Sequence, residues 1–287
     1  MKFSLSTNWC NRRIDDGAAI AELALSLGFS ELELGYSTTP EQVPGFRRML
    51  DSIPVGSVHA FCPVPLSAPQ GYPELYQLAS FDEEGRRMAS LQVRRNIEFA
   101  ASVGADALVL HAGRVMCRGW IRRRDMSRRV RRGRKMLDPF RRELDRLVPE
   151  LERNRVVLGL ENLPYLEGYP AEWEMADVVG EWVRPWFDTG HDRVRRCCGW
   201  AAPDAAPQVP DNPALVPVGM HINDVVDKSD DHLAPGMGKV DFVALRPLAE
   251  RVRHIVFEPN SEVPEDDLRR GVELLESQWK TAQGKTL

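Results

Sequence analysis

The sequence predicts an α/β fold of one kind, a (β/α)8 TIM barrel in which eight parallel strands close on themselves inside a ring of helices. Three observations point there. The 287 residues match the usual size of one barrel domain, so residues 1–287 are expected to form a single unit. Eight short apolar strand signals alternate with amphipathic segments along the whole chain. An open doubly wound sheet, the main alternative, needs a glycine-rich phosphate loop after the first strand, and none is present.

The elements follow in order. Phe3–Leu5 is the first strand signal, and Asp15 or Asp16 caps a helix reaching Leu27 with Ile20, Leu23, Ala24 and Leu27 as its apolar stripe. Glu31–Leu34 is the second strand, and Thr39-Pro40 opens the next helix. Val55–His59 is the third strand, leading into a proline-rich loop from Ala60 to about Ser80. A helix from Asp82 to Val103 precedes the fourth strand, Ala107–His111. A basic helical region covers Ile121–Arg153. Val156–Glu161, Pro185–Asp188 and Val218–His221 read as strands five to seven, and the Ala/Pro-rich stretch Ala201–Pro213 as a surface insertion. Val240–Glu250 is helical with a short break at Pro247. Ile255–Glu258 is the eighth strand, and a last helix runs from Glu265 to Gln278 with Leu268, Val272 and Leu275 on one face.

Bulk properties exclude several classes. The five cysteines show no CxxC spacing, which suits reduced thiols and a cytoplasmic setting. The N-terminal apolar run is too short for a signal peptide, and no stretch is long enough to span a bilayer. A formal charge of -4 argues against a general nucleic-acid binder.

Function is written at the strand ends. In such a barrel the C-terminal ends of the strands carry the chemistry, and here they are His59, His111, Glu161, Asp188, His221 and Glu258. His191, Asp230 and His232 lie just beyond. Among the histidines only His254 falls on the opposite rim, where a structural role is expected. Singly, each residue has an ordinary explanation, a histidine bonded to a carbonyl or an aspartate capping a helix. Together, so many carboxylates and imidazoles on one rim would repel or shift protonation without cations between them. The mixed donor set suits Zn²⁺, Mn²⁺, Fe²⁺ or Co²⁺, in one to three ions. Asp188-Thr-Gly-His191 reads as a turn aiming both side chains at one cavity, and Gly236-Met-Gly238 as a tight turn that lets substrate approach the backbone.

The pattern resembles the xylose isomerase-like barrel superfamily of sugar isomerases, ketose 3-epimerases and endonuclease IV. The resemblance covers essentially the whole chain. It rests on His-Ala (59–60), Leu-His-Ala-Gly (110–113), Leu-Glu-Asn (160–162), Phe-Asp-Thr-Gly-His (187–191), His-Ile-Asn-Asp (221–224), Asp-Asp-His-Leu-Ala-Pro-Gly-Met-Gly (230–238) and Phe-Glu-Pro-Asn (257–260). For the epimerases it implies one metal on Glu161, Asp188, His221 and Glu258, with Glu161 and Glu258 as the catalytic acid/base pair. For endonuclease IV it implies three zinc ions, adding His59, His111, His191, Asp230 and His232. All nine positions are filled. The first loop, Thr7-Asn-Trp-Cys-Asn-Arg-Arg, departs from the nuclease pattern, and no DNA-inserting loop is recognisable.

The function this implies is a metal-dependent isomerase or epimerase of a small sugar, polyol or sugar phosphate, working by proton transfer through a metal-stabilised enediolate. The alternative is a multinuclear phosphoester hydrolase, which gives the extra histidines work as ligands. A binding protein on a degenerate barrel ranks last, because no ligand position is lost. Arg114 and Arg118 are the candidates for gripping a substrate phosphate or carboxylate, and Trp9, Phe61 or Trp120 for walling the pocket. Between Arg118 and Arg142, twelve Lys or Arg residues stand against Asp125 and Asp138. Their spread around the helix suggests a solvated or oligomer-contacting surface, with DNA contact the minor reading.

Overall fold

The computed structural model describes residues 1–66, 68–115, 126–201 and 209–280. Its strands are β1 (Ser4–Ser6), β2 (Glu31–Leu34), β3 (Val55–His59), β4 (Ala107–Leu110), β5 (Val157–Glu161), β6 (Val183–Asp188), β7 (Gly219–Ile222) and β8 (His254–Phe257). Each pairs in parallel with the next, and β1 pairs with β8 through Ser4↔Val256 and Leu5↔Phe257, so the sheet closes. The expected (β/α)8 barrel is what forms.

The helices are α1 (Gly17–Ser26), α2 (Val43–Met49), α3 (Glu83–Ser102), α4 (Met126–Asn154), α5 (Glu172–Met175), α6 (Thr189–Cys197), α7 (Phe242–Ala249) and α8 (Glu265–Trp279). Asp16, not Asp15, caps α1 by accepting from the Ala18 amide, and Asp82 caps α3 through the Gly85 amide. α2 starts later than Thr39-Pro40, because the Gln42 side chain accepts from the Thr39 amide and holds those residues in a turn. Pro44 then takes the first helical turn, where a missing N–H costs nothing. The turn expected at Asp188-Thr-Gly-His191 is the start of α6. Asp188 caps it through the His191 amide at 2.6 Å, so strand end and helix start are the same residue.

α4 corrects a second expectation. It is not solvated all round: Arg129, Gly133, Met136, Phe140, Leu144, Leu147 and Leu151 form a buried stripe at helical spacing. Arg129 is fully buried, with bonds to Leu166 O, Gly168 O and both oxygens of Glu174. Arg132, on the same side, donates to Val115 O. Arg118, Trp120, Arg122 and most of the Ala201–Pro213 insertion lie outside the described residues.

Alternate residues of each strand enter the barrel, and they stack in three tiers. At the bottom, Ser4 and His254 both contact Glu31, and His254 also contacts Asp106 at 2.7 Å. In the middle, Trp186 packs with Val109 and Val256. It lies over Gly159 and Gly219, where an added Cβ would come within 2.9 and 2.3 Å of its ring. Those two glycines are spaces that the indole fills. The top tier carries the polar cluster, so Trp186 separates the His254 ion group below from the strand-end histidines above.

Candidate metal centre

The nine residues meet at the C-terminal mouth in four overlapping groups, and within each group the donor atoms lie within 4.8 Å of one another; one of them, His59, His221 and Glu258, links the first two described below. Glu161, at the end of β5, is central. Its Oε2 faces His59 Nε2 at 3.3 Å and His111 Nε2 at 3.0 Å. Its Oε1 faces His221 Nδ1 at 3.0 Å and His191 Nδ1 at 3.4 Å. Glu161 therefore stands between imidazoles that belong to more than one group.

The second group is Glu161, Asp188, His221 and Glu258. His221 Nδ1 is 3.2 Å from Glu258 Oε2 and 3.9 Å from Asp188 Oδ2. The third is His191, Asp230 and His232, with Asp230 oxygens 3.4 Å from His191 Nε2 and 3.3 Å from His232 Nε2. All are buried except Asp230, which is about one-third exposed, and His232, about one-fifth.

The second nitrogen of nearly every imidazole is already committed. His59 Nδ1 bonds Ala60 O at 2.9 Å, His191 Nδ1 bonds Asn162 O at 2.7 Å, and His232 Nδ1 bonds Glu258 O at 2.8 Å. A carbonyl only accepts, so each of these rings carries its proton on Nδ1 and offers Nε2 to the centre. His221 is the reverse. Its Nε2 meets both oxygens of Glu33 at 3.2 Å, which leaves Nδ1 for the centre.

This donor set fits divalent cations. With imidazoles counted neutral, Glu33, Glu161, Asp188, Asp230 and Glu258 place five negative charges in one cluster, most of it dry. One divalent ion leaves most of that charge uncompensated; two or three nearly cancel it. Without ions the imidazoles must take up protons instead. Burial opposes this at His191, yet Asp188 and Asp230 push its pKa up to about 10. Burial opposes it at His232 as well, and Asp230 raises that ring well above the ordinary value. Burial would raise Glu161, but His221 and His111 hold it well below the usual carboxylate range. Burial dominates at Asp188 and raises it.

Neighbouring side chains brace the ligands. Asn162 Nδ2 donates to Asp188 O, while Asn162 Oδ1 accepts from the Asp188 amide at 2.7 Å. Asn223 Nδ2 donates to Asp188 Oδ2 at 2.7 Å, and a Cβ on Gly190 would sit 1.9 Å from Asn223 Oδ1. Asp224 organises the loop bearing Asp230 and His232: it accepts the amides of Val225, Gly236, Gly238 and Val240. The Gly236-Met-Gly238 turn is thus folded onto a carboxylate, and its amides are not open to a substrate.

Trp9 belongs to the core. It is 1 % exposed, its indole donates to Val263 O, and Arg13 lies over its ring at 4.6 Å. Phe61 is buried too, edge-on to Tyr76. Arg114 sits near the mouth with its guanidinium on Glu74 at 2.7 Å and over the Tyr165 ring at 3.9 Å. Sequence reasoning missed Glu33, Asp224 and Tyr36, whose ring stands edge-on to His59 at 5.1 Å.

The family described as the xylose isomerase-like TIM barrel matches residues 21–278, nine-tenths of the chain. The chain belongs to that family. Solved structures share the fold over nearly their full lengths. A D-tagatose 3-epimerase-like protein superposes with a TM-score of 0.71 at 21% identity, covering 97% of each chain. The 3-keto-D-glucoside 4-epimerase of E. coli gives 0.70 at 19% identity, covering 96% of this chain and 99% of its own. A Thermus thermophilus protein from a crystal soaked with zinc chloride gives 0.62 at 24% identity over 100% of both chains. At these identities the likeness establishes the fold alone. No curated protein sequence is significantly similar to the chain. Among the described residues no helix is long and apolar enough to cross a membrane.

Proposed function

We propose that this chain is a multinuclear metal-dependent hydrolase of a small phosphoester, with its ions held by the nine residues of the overlapping groups. The observation that carries the reading is Glu161, whose two oxygens face different imidazoles. A carboxylate with donors on both sides would suit a site that holds more than one ion. When bound, clustered divalent ions (Zn²⁺, Mn²⁺, Co²⁺ or Fe²⁺) supply Lewis acidity toward phosphoryl oxygens and bring water activation near neutral pH. The chain's own part is to orient the donors. Backbone carbonyls fix three imidazoles, Asn162 and Asn223 hold Asp188, and Asp224 shapes the loop that brings Asp230 to the mouth. Arg114, half tethered by Glu74, is the candidate to meet a substrate anion. A cytoplasmic setting belongs to the same proposal and agrees with the unpaired Cys10 and Cys62 thiols.

The second reading is the isomerase or epimerase of a small sugar, polyol or sugar phosphate. Its support is the complete group of Glu161, Asp188, His221 and Glu258, with one glutamate at the end of β5 and the other directly after β8. Glu161 and Glu258 would then move the proton beside a carbonyl. The names of the 3-epimerase-like and 4-epimerase structures point the same way.

Counting ions and tracing atoms separates the two. Anomalous scattering from metal-loaded crystals is expected to show two or three ions, with oxygen from H2¹⁸O entering the released phosphate of a phosphoester panel. A single ion on the four-residue group, with solvent deuterium entering carbon-bound positions of a ketose, would overturn the hydrolase.

A further inference from the structure

Glu33 belongs to none of the ligand groups, yet it is fully buried against one of their members. It projects from β2 into the barrel, where His221 Nε2 lies 3.2 Å from each of its oxygens and Ser57 donates to Oε2 at 2.8 Å. The plane of the His221 ring is held separately. His59 stacks on it at 5.6 Å with an interplanar angle of 6°, and Trp186 packs against it at 5.1 Å. What the stacking leaves open is which nitrogen faces the carboxylates of Glu161, Asp188 and Glu258.

We propose that Glu33 is a positioning residue that keeps the His221 proton on Nε2, so that Nδ1 is the nitrogen that binds a divalent ion in the four-residue group. A carboxylate without a proton only accepts, so it selects the ring form with Nε2–H. A turned-over ring would set carbon against Glu33 and leave this buried anion without its imidazole partner. The charge behind the ring also makes Nδ1 a stronger donor, as carboxylate–histidine pairs do at metal sites. His221 thus differs from His59, His191 and His232, whose Nδ1 is occupied by a carbonyl. The inference rests on an ion occupying this group and holds for either reaction.

The test uses the full chain with ¹⁵N-labelled histidine, loaded with Zn²⁺. In the wild type the His221 signals should report zinc on Nδ1 and a proton on Nε2. Glu33→Gln keeps an acceptor but removes the charge, and a chelator should then strip zinc from His221 about tenfold more readily. Zinc on Nε2 in the wild type, or unchanged zinc affinity in a folded Glu33→Gln, would overturn the assignment. If Glu33→Gln fails to fold, the wild-type ring form decides alone. Wild-type protein that takes up no zinc refutes the metal-centre reading together with this one, whereas zinc held at His221 irrespective of Glu33 refutes only this one.

Discussion

Replacing Asp224 with asparagine should weaken metal binding at the His191–Asp230–His232 group while leaving the Glu161 groups in place. Asp224 is buried, and each of its oxygens accepts two backbone amides: Val225 and Val240 at 2.9 Å on Oδ1, Gly236 at 3.0 Å and Gly238 at 2.8 Å on Oδ2. In either orientation an asparagine turns its NH2 toward two donors, so two of these bonds are lost. Each loss costs on the order of 1 kcal/mol where the amide retains some access to water. The total, about 2 kcal/mol, corresponds to a factor of up to about 30 in the order of the loop. That loop carries Asp230 and His232, whereas the residues around Glu161 sit on strand ends that Asp224 does not touch. Chelator competition on metal-loaded Asp224→Asn should therefore resolve one ion weakened by up to about 30-fold, with the remainder unchanged. A folded variant with every ion affinity intact, or with the loss falling on the Glu161 groups, would refute the reasoning.

Two further predictions concern the scaffold. Burial alone would lower the His254 pKa, but its bonds to Asp106 and Glu31 outweigh this and push it up to about 9. A raised pKa stabilises fully below the unfolded value of about 6.5 and is lost as pH rises through the folded one. Each unit is worth about 1.4 kcal/mol, and with Asp106 44% exposed about 1–2 kcal/mol survives solvent screening. From pH 6.5 to 9.5 urea melts of a His254→Gln variant should lose less stability than the wild type by about 1–2 kcal/mol; equal slopes would remove His254 as a source. Arg129→Met should destabilise by about 3–5 kcal/mol, because it strands the buried Glu174 carboxylate. A urea midpoint that barely moves would mean that Glu174 finds water or another partner.

The order of the candidate ligands and the rim they share were legible in the chain. A parallel barrel sends every strand end to one rim, so a histidine or carboxylate that ends a strand signal must arrive there whatever the loops do. That reasoning reached all nine residues, and it sent His254 to the opposite rim, where it meets Asp106 and Glu31. Glu33 escaped it. Between Leu32 and Leu34 it looks like the polar side of an alternating strand, although both faces of a barrel strand are covered and two inward glutamates on β2 were a usable anomaly. What sets Glu33 against a histidine 188 positions away is ring closure, together with the register irregularity between Leu32 and Glu33. Arg129 escaped for a related reason: helical spacing gives the side on which a residue lies, but not whether a buried glutamate waits there. Composition and period thus determined the barrel and the rim on which its chemistry sits. Only the tertiary structure decided which nitrogen of each imidazole faces inward and which carboxylate is shared, because both depend on contacts a few ångströms long between residues far apart in the chain.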